Sequence, residues 1–388
     1  MKIALIITGL GMGGAENQVA SLCDYYAAKN HSILLISLTG ETVVKPTSQV
    51  VRVAPLNMKK NIFSFISAYL MALRLIREFS PDVVHSHMIH ANLFARLLRL
   101  VQPMQRLICT AHNSNEGGKL RMLAYRYTDN LADITTNVSH DSVNQFIVKK
   151  AAPLRKIIAV HNGIDCERFR FEWSIRQKTR RDLNLAEDIH VFFAVGRFAD
   201  AKDYPNLFSA FSTIARSHKN CVLMIAGSGG NQAFFEAKAR ELGLANRIHF
   251  LGLRRDVFEL MNAADTFVLS SAWEGLPLVV GEAMACERVV VSTNAGGVKD
   301  FAGDNAFVVP IRDSFALSEA MGNALMLSPE ERRQRGSAGR KKIVELYSLR
   351  RIAEQWLEMY DTNSDLAERF FSKEESAVMN HPDSRLVD

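Results

Sequence analysis

The chain has 388 residues, of which 48% are hydrophobic, and a formal net charge of +6. It is long enough for two ordinary domains and too apolar for a disordered protein. Its five cysteines form no C-x-x-C pair, which argues against a disulfide framework or structural zinc site and favours a reducing cytoplasm. The longest apolar stretch, residues 62–73, is too short to span a bilayer, and the apolar run at residues 3–10 lacks a cleavage site. We therefore expect neither a transmembrane helix nor export.

Short β-branched runs alternate with helical patterns in the first part of the chain. After a strand at residues 3–8 and a helix at residues 15–29, strands are predicted at residues 32–37, 83–86, 107–111, 134–137 and 157–161. This alternation is typical of a parallel, doubly wound sheet. It stops in a charged stretch, residues 167–187, so we place a domain boundary between residues 168 and 169.

The same alternation restarts in the second half. Strands are predicted at residues 191–195, 222–226, 248–251, 267–270 and 289–292, followed by helices at residues 315–326, 329–346 and 349–360. The sequence therefore predicts an α/β fold of two Rossmann-like, doubly wound domains, residues 1–168 and 169–348, facing a cleft. A helical segment at residues 349–364 and a tail at residues 365–388 complete the chain.

Basic residues are concentrated in the first half. Residues 1–168 hold 19 Lys and Arg against 11 Asp and Glu, a net charge of +8, while the remainder carries −2. Residues 42–77 contain no acidic residue, and basic residues surround the apolar segment 62–73. This pattern is typical of helices that bind an anionic membrane surface. Ordinary amphipathic helices are the alternative, and without a recognisable binding motif we expect no nucleic-acid partner.

A glycine-rich turn follows the first predicted strand. Gly9, Gly11 and Gly14 satisfy the G-x-G-x-x-G pattern, and Glu41 ends the second strand, where a ribose-binding acid would lie. This combination leaves an NAD-dependent oxidoreductase open as an alternative. A tight turn with a purely structural role is another.

Two cations follow the strand at residues 191–195. Ligands of parallel sheets bind at the carboxyl ends of strands, and Arg197 and Lys202 occupy such a position. A planar guanidinium and a compact ammonium can together neutralise a departing nucleoside diphosphate. We therefore predict a pyrophosphate clamp, with a surface pair beside Asp200 and Asp203 as the alternative.

Two glutamates separated by seven residues, Glu274 and Glu282, are the most informative feature of the chain. Pro277 is a natural first-turn residue of a helix, so Glu274 is predicted on a loop and Glu282 on the helix that follows. The N–H groups at that helix start would face an anion such as phosphate. Carboxylates on both sides of a phosphate site suit a nucleotide sugar, because they can accept hydrogen bonds from ribose and sugar hydroxyls. A chance acidic helix is the alternative.

Several segments together resemble one enzyme family. They are residues 13–16, 161–165, 196–202, 274–282 and 347–348. They resemble the motifs of retaining glycosyltransferases with the GT-B fold, in particular the bacterial polysaccharide and O-antigen enzymes of family GT4. The resemblance covers roughly the first 360 residues. It implies that the helix at residues 349–360 crosses back onto the first domain.

The resemblance implies four catalytic residues. His112, after the strand at residues 107–111, would lie beside the donor sugar and leaving phosphate, with an ordinary loop histidine as the alternative. Arg197 and Lys202 would bind the diphosphate, and Glu274 would position the sugar. The nucleotide-binding set implied by the resemblance further contains Gly13, Gly14, Gly227, Leu253, Arg254, Leu278, Val279 and Glu282.

The resemblance also implies the reaction and its setting. The donor would be a UDP-hexose or UDP-N-acetylhexosamine, and the acceptor a polyprenyl-diphosphate-linked oligosaccharide of an O-antigen or capsule. No nucleophile with a paired base stands out near the two glutamates, which agrees with the family's front-face retaining reaction. The enzyme would be cytoplasmic and peripherally bound to the inner face of the plasma membrane.

Metal and cofactor requirements follow from what the sequence contains. No Asp-x-Asp sequence is present, so we expect Lys202 and Arg197 to replace a metal, and we expect no cofactor. His85, His87 and His90 leave a zinc site open, although acceptor binding or packing is favoured. A nucleotide-sugar epimerase or a non-catalytic binding protein on the same scaffold is a further alternative.

Overall fold

The computed structural model describes residues 1–114, 116–364 and 369–371. These residues form two compact units. The first contains residues 1–163 and the described residues from 349 onward, and the second contains Ile164–Ser348. The division lies a few residues before the boundary predicted at residues 168 and 169. Each unit is built on a parallel sheet, which confirms the predicted α/β class with two Rossmann-like domains.

The described residues of the first unit form seven strands and five α-helices before the division. The strands are β1 (Lys2–Leu10), β2 (Ser32–Thr42), β3 (Arg52–Pro55), β4 (Val83–His87), β5 (Leu107–Ala111), β6 (Ile134–Asn137) and β7 (Ile157–Ala159). The helices are α1 (Gly14–Ala28), α2 (Ile62–Phe79), α3 (Ile89–Val101), α4 (Lys119–Thr128) and α5 (His140–Val148). The strand order is β3-β2-β1-β4-β5-β6-β7, so the order reverses between β1 and β4. Ligands of such sheets bind at the carboxyl ends of the strands beside this reversal.

Strand β1 shows why the strands of this unit are apolar at nearly every position. Ile3 packs in one core cluster with Tyr26 of α1, whereas its neighbour Ala4 packs in another with Phe94 of α3. All four side chains are buried. Because helices cover both faces of the sheet, inward and outward positions of a central strand are both removed from water.

The second unit has six strands and eight helices. The strands are β8 (His190–Val195), β9 (Cys221–Ala226), β10 (Ile248–Gly252), β11 (Thr266–Leu269), β12 (Val289–Thr293) and β13 (Phe307–Val309). The helices are α6 (Trp173–Asp182), α7 (Tyr204–Ser217), α8 (Gln232–Glu241), α9 (Val257–Ala263), α10 (Leu278–Ala285), α11 (Val298–Ala302), α12 (Ser314–Met326) and α13 (Pro329–Tyr347). The strand order is β10-β9-β8-β11-β12-β13, the Rossmann order, with its reversal between β8 and β11.

The last long helix, α14 (Leu349–Tyr360), belongs to the first unit although it follows the second in sequence. Its apolar face joins the core beneath β1, and the hydroxyl of Tyr360 lies 2.7 Å from Nδ1 of His85. A Cβ on Gly163 would lie 2.6 Å from Cα of Leu349, so glycine allows these backbones to pack closely. Of the predicted tail, residues 369–371 are helical, whereas residues 365–368 and 372–388 lie outside the described residues.

Candidate active site

Lys202 and Glu274 meet at the carboxyl ends of β8 and β11, which are adjacent in the sheet. Nζ of Lys202 lies 2.6 Å from Oε1 of Glu274, and the hydroxyl of Ser271 donates to the same oxygen at 2.7 Å. The two charged side chains are 19% and 17% exposed. They form a largely buried ion pair at the edge of the sheet where ligands bind.

The loop that carries Lys202 is fixed by hydrogen bonds to its backbone. The Ser270 hydroxyl donates to the carbonyl of Lys202 at 2.7 Å, and the Tyr204 hydroxyl donates to that of Gly196 at 3.0 Å. A Cβ on Gly196 would lie 2.7 Å from Cε of Lys202. The lysine side chain therefore lies across Gly196, and a side chain at that position would displace it.

Arg197 and Gly227 lie in the same region but outside the ion pair. The Arg197 side chain is exposed and has no ion pair or hydrogen bond within the part of the chain that the structure describes. A Cβ on Gly227 would collide with the carbonyl oxygen of Gly196, so the loops after β8 and β9 pack backbone against backbone. The absence of a side chain at Gly227 thus supports the loop that carries Lys202.

Helix α10 begins one residue later than predicted. Pro277 has an extended conformation, with φ −77° and ψ 94°, and is the N-cap, not the first helical residue. The prediction that Pro277 forms the first helical turn is therefore wrong by one position. Leu278 and Val279 are the first two helical residues, and their N–H groups lack acceptors within the helix, as at any helix start. These donors follow Glu274 by only a few residues.

Glu282 lies in the middle of α10 with no hydrogen bond or ion pair for its side chain among the described residues. Burial raises its pKa from 4.5 to about 7, and the charge of Arg168 opposes the shift. Burying a carboxyl group without a partner destabilises the ionised form. An unpaired carboxyl group in a half-buried position is chemically suited to accept hydrogen bonds from ligand hydroxyls.

Leu253 and Arg254, which were predicted to bind the nucleotide, lie directly after β10. Leu253 is 56% exposed, and the guanidinium of Arg254 forms an ion pair with Asp256. The Arg254 side chain is therefore engaged within its own loop.

The glycine-rich turn of the first unit holds an acidic side chain at its helix start. Gly13 is the N-cap of α1, Gly14 is its first residue, and Glu16 lies in its first turn. A Cβ on Gly13 would lie 2.5 Å from a carboxylate oxygen of Glu16. A pyrophosphate bound here, as in dinucleotide enzymes, would meet this carboxylate, so the geometry does not favour the NAD-dependent alternative.

His112 follows β5, and its Nε2 lies 3.2 Å from Nδ1 of His87 at the end of β4. Burial lowers the pKa of His112 to about 4, so its imidazole is neutral at neutral pH. His85 is fully buried, whereas His90 is exposed. No group of three or more His, Cys, Asp or Glu side chains that could hold a metal ion occurs within the described ranges, so the zinc alternative gains no support.

Glu116 is a site residue that the sequence did not indicate. It is 6% exposed, and its carboxylate accepts a hydrogen bond from the backbone N–H of His112 at 3.1 Å. Burial raises the pKa of the Glu116 carboxyl, and the nearby backbone N–H groups of His112, Asn113 and Ile89 oppose this shift. Glu116 thereby ties the loop of His112 to the start of α3. Its partners are backbone groups, so no pattern of side chains could have revealed it.

Two family models match the chain. The model described as Glycosyltransferase Family 4 matches residues 12–168, and the model described as Glycosyl transferases group 1 matches residues 175–342. The first match lies almost entirely in the first unit and the second lies in the second unit. Together they account for most of the chain.

Individual relatives are similar at about a quarter of aligned positions. The chain is 26% identical to an uncharacterized glycosyltransferase of Methanocaldococcus jannaschii over 60% of this chain and 60% of the relative, less than two thirds of its length. It is 25% identical to the N-acetylgalactosamine-N,N'-diacetylbacillosaminyl-diphospho-undecaprenol 4-alpha-N-acetylgalactosaminyltransferase of Campylobacter jejuni, over 86% of this chain and 92% of the relative. The crystal structure of Anabaena HepE in complex with UDP superposes with a TM-score of 0.80 at 19% identity, over 92% of this chain and 99% of that one.

Proposed function

Because the chain belongs to the family 4 glycosyltransferases, we propose that it transfers a sugar, with retention of configuration, from a UDP-sugar to a polyprenyl-diphosphate-linked oligosaccharide. The donor is a UDP-hexose or UDP-N-acetylhexosamine. The UDP bound to Anabaena HepE and the diphospho-undecaprenol in the name of the Campylobacter relative support these choices. The observation that carries the proposal is the Lys202–Glu274 ion pair immediately before the start of α10.

Three groups stabilise the leaving nucleoside diphosphate in this proposal. Lys202 supplies a cation, exposed Arg197 supplies a second, and the free N–H groups of Leu278 and Val279 donate hydrogen bonds. When no donor is bound, Glu274 neutralises Lys202. A bound diphosphate would share the ammonium of Lys202 and leave the Glu274 carboxylate to accept hydrogen bonds from the sugar.

The proposed bond changes balance without an enzyme nucleophile. The acceptor hydroxyl oxygen forms a bond to the anomeric carbon on the face from which the phosphate leaves, while the bond between that carbon and the phosphate oxygen breaks. The proton of the hydroxyl passes to a departing phosphate oxygen. Glu282 holds the ribose through its hydroxyls, and neutral His112 contacts the donor sugar.

The acceptor and the membrane belong to the first unit in this proposal. No helix within the described residues is long and apolar enough to cross a membrane. Lys59 and Lys60 are exposed before α2, and Phe63 in its first turn is 82% exposed. We propose that this surface binds the anionic inner face of the plasma membrane, where a polyprenyl-linked acceptor is anchored, in synthesis of an O-antigen or capsule.

The first experiment is a thermal-shift panel of the purified protein with UDP-, GDP- and ADP-sugars, with NAD and the Glu282→Ala variant as controls. We expect one nucleotide sugar to raise the Tm of the native protein and not that of the variant. Release of the nucleoside diphosphate should then require a polyprenyl-diphosphate-linked glycan. A rise in Tm with NAD alone would overturn the proposal, and release without transfer to the glycan would contradict the acceptor.

A further inference from the structure

Three imidazoles lie together at the ends of β4 and β5 in the first unit. The ring centroids of His85 and His87 are 4.0 Å apart, and those of His87 and His112 are 5.4 Å apart. Both nitrogens of His85 are engaged in the core, Nδ1 with the Tyr360 hydroxyl and Nε2 with the Thr110 hydroxyl, each at 2.7 Å. His85 is thereby a structural member of the group.

His87 and His112 share one hydrogen bond, between Nδ1 of His87 and Nε2 of His112 at 3.2 Å. Burial lowers the pKa of His87 well below its ordinary value and that of His112 to about 4. Both rings are therefore neutral at neutral pH, and each carries a single N–H. The shared bond then has two possible directions, with either His87 or His112 as the donor.

The second nitrogen of His87 decides between these directions. Nε2 of His87 is buried and has no hydrogen-bond partner among the residues described. If His112 donated, His87 would carry its proton on Nε2, and a buried N–H would stay unpaired. If His87 donates from Nδ1, only a lone pair stays unpaired. A buried donor without an acceptor is the rarer of these two defects in proteins.

We infer that His87 is a positioning residue that donates from Nδ1 to Nε2 of His112 and thereby holds the proton of His112 on Nδ1. His112 then presents an N–H donor to its ligand and has no free basic nitrogen. A donor suits a sugar hydroxyl or a phosphate oxygen, and it leaves the leaving diphosphate to accept the proton of the acceptor. The identity of the ligand rests on the proposed function, whereas the tautomer does not.

Nitrogen-15 NMR of the histidine-labelled, ligand-free protein tests the tautomer directly. Long-range proton–nitrogen spectra distinguish protonated from unprotonated ring nitrogens, and His87→Asn and His112→Asn assign the two residues. At pH 7.5 we expect both rings to carry the proton on Nδ1. A proton on Nε2 of His112 would overturn the inference. This measurement needs no sugar, so its failure is distinct from failure of the proposed function.

Measurements of kcat and KM distinguish a positioning role of His87 from a packing role. His87→Asn can keep an N–H donor at the position of Nδ1, whereas His87→Leu cannot. We expect His87→Leu to lower kcat about fivefold with a smaller change in KM for the donor, and His87→Asn to retain most of the activity, since one hydrogen bond is worth about 1 kcal/mol. In a His112→Ala background, His87→Leu should lower kcat no further.

His85→Asn is the matched control, because it removes an imidazole from the same group without touching the shared bond. It should lower Tm and leave the tautomer of His112 unchanged. If His87→Leu and His87→Asn reduced kcat equally and in step with Tm, His87 would be a packing residue and the positioning role would be wrong.

Discussion

Lys202 and Glu274 admit two explanations at the scale of single residues. A largely buried ion pair between two loops could simply fasten them, since removing one partner leaves an uncompensated charge. The same pair could be a ligand site whose charges are satisfied internally until a diphosphate binds. The hydroxyl of Ser271 on Glu274 and the contact of Lys202 with Gly196 fix both side chains, which agrees with either explanation. Separate measurements of stability and turnover distinguish the two.

We predict that Lys202→Met lowers kcat about 100-fold, because loss of one group that stabilises transition-state charge costs about 3 kcal/mol. Methionine keeps the aliphatic stem over Gly196 and removes the charge. Lys202→Met should also lower Tm, since Glu274 is left without its cation. Adding Glu274→Gln removes the unpaired charge and should restore Tm but not kcat. Thermal unfolding and initial rates of nucleotide release check both expectations.

Recovery of turnover in the double variant would show that the pair only fastens the loops. Asp200→Asn serves as a control, because Asp200 is exposed in the same loop and has no described ion pair. Asp200→Asn should change neither Tm nor kcat. A loss of kcat in that control equal to the loss in Lys202→Met would also contradict a specific role for Lys202.

Glu282 is a residue whose proposed role conflicts with stability. Its folded-state pKa is about 7 against 4.5 as the ordinary value, with burial as the main cause. The unfolded chain therefore loses this proton at lower pH than the folded protein does. Stability from this group is complete below pH 4.5 and is lost as the pH rises through about 7.

We predict that Glu282→Gln stabilises the protein by on the order of 3 kcal/mol at pH 8 and has little effect at pH 4.5, because the pKa is raised from 4.5 to about 7 and each tenfold difference in proton affinity between the folded and unfolded states corresponds to about 1.4 kcal/mol. The same variant should bind the nucleotide more weakly. Denaturant unfolding at the two pH values measures the first effect and calorimetric titration the second. Glu345→Gln, on the exposed side of α13, is the control and should change neither the stability at pH 8 nor the affinity for the nucleotide. Equal stabilisation at both pH values would contradict the raised pKa of Glu282 as the cause.

At the scale of elements, the sequence predicts best where burial is continuous. The predicted strand at residues 3–8 lies within β1, where most side chains are apolar because helices cover both faces of the sheet. Strands β3 and β13, of four and three residues, and helix α11, of five, were not predicted. Such short elements are stabilised by their neighbours in the sheet, so their own residues carry little periodic signal.

The sequence predicts only part of the candidate site, namely the part that depends on the order of strands and helices. Lys202 and Glu274 come together because they follow two strands that are neighbours in the sheet, a placement that the alternation of strands and helices makes plausible. The start of α10 was displaced by one residue, since proline is tolerated both at the cap and in the first turn. The pairing of His87 with His112 depends on the register of β4 and β5, which spacing along the chain does not reveal.

At the scale of the whole molecule, part of the positive charge of the first half lies at the starts of α2 and α4. Lys60 precedes α2, His90 lies in the first turn of α3, and Arg121 lies in the first turn of α4. Burial lowers the pKa of His90, and the charges of Arg121 and Lys60 lower it further. The charges of Lys60 and Arg121 therefore both act on His90, which indicates that they contribute to one basic surface. Phe63 and Leu120, 82% and 83% exposed, lie in the first turns of α2 and α4.

We predict that the protein sediments with vesicles containing phosphatidylglycerol and not with pure phosphatidylcholine. Lys59→Glu with Lys60→Glu should weaken binding by at least tenfold, since each basic residue near such a surface contributes about 1 kcal/mol. Phe63→Ser with Leu120→Ser should weaken it through loss of apolar insertion. Phe315→Ser is the matched control, because Phe315 is 71% exposed but lies in the second unit.

The electrostatic and the apolar contributions to vesicle binding should respond differently to salt. This difference distinguishes a surface that binds membranes from a chance accumulation of charge. Raising the ionic strength to about 1 M shortens the screening length to about 3 Å and should release most of the bound protein. The Phe63→Ser, Leu120→Ser variant should be released at lower salt than the native protein, since apolar insertion resists screening. Binding that is indifferent to lipid charge, or reduced equally by Phe315→Ser, would show that the basic surface of the first unit does not dock on the membrane. The lipid-linked acceptor would then have to reach the enzyme without docking of this surface on the membrane.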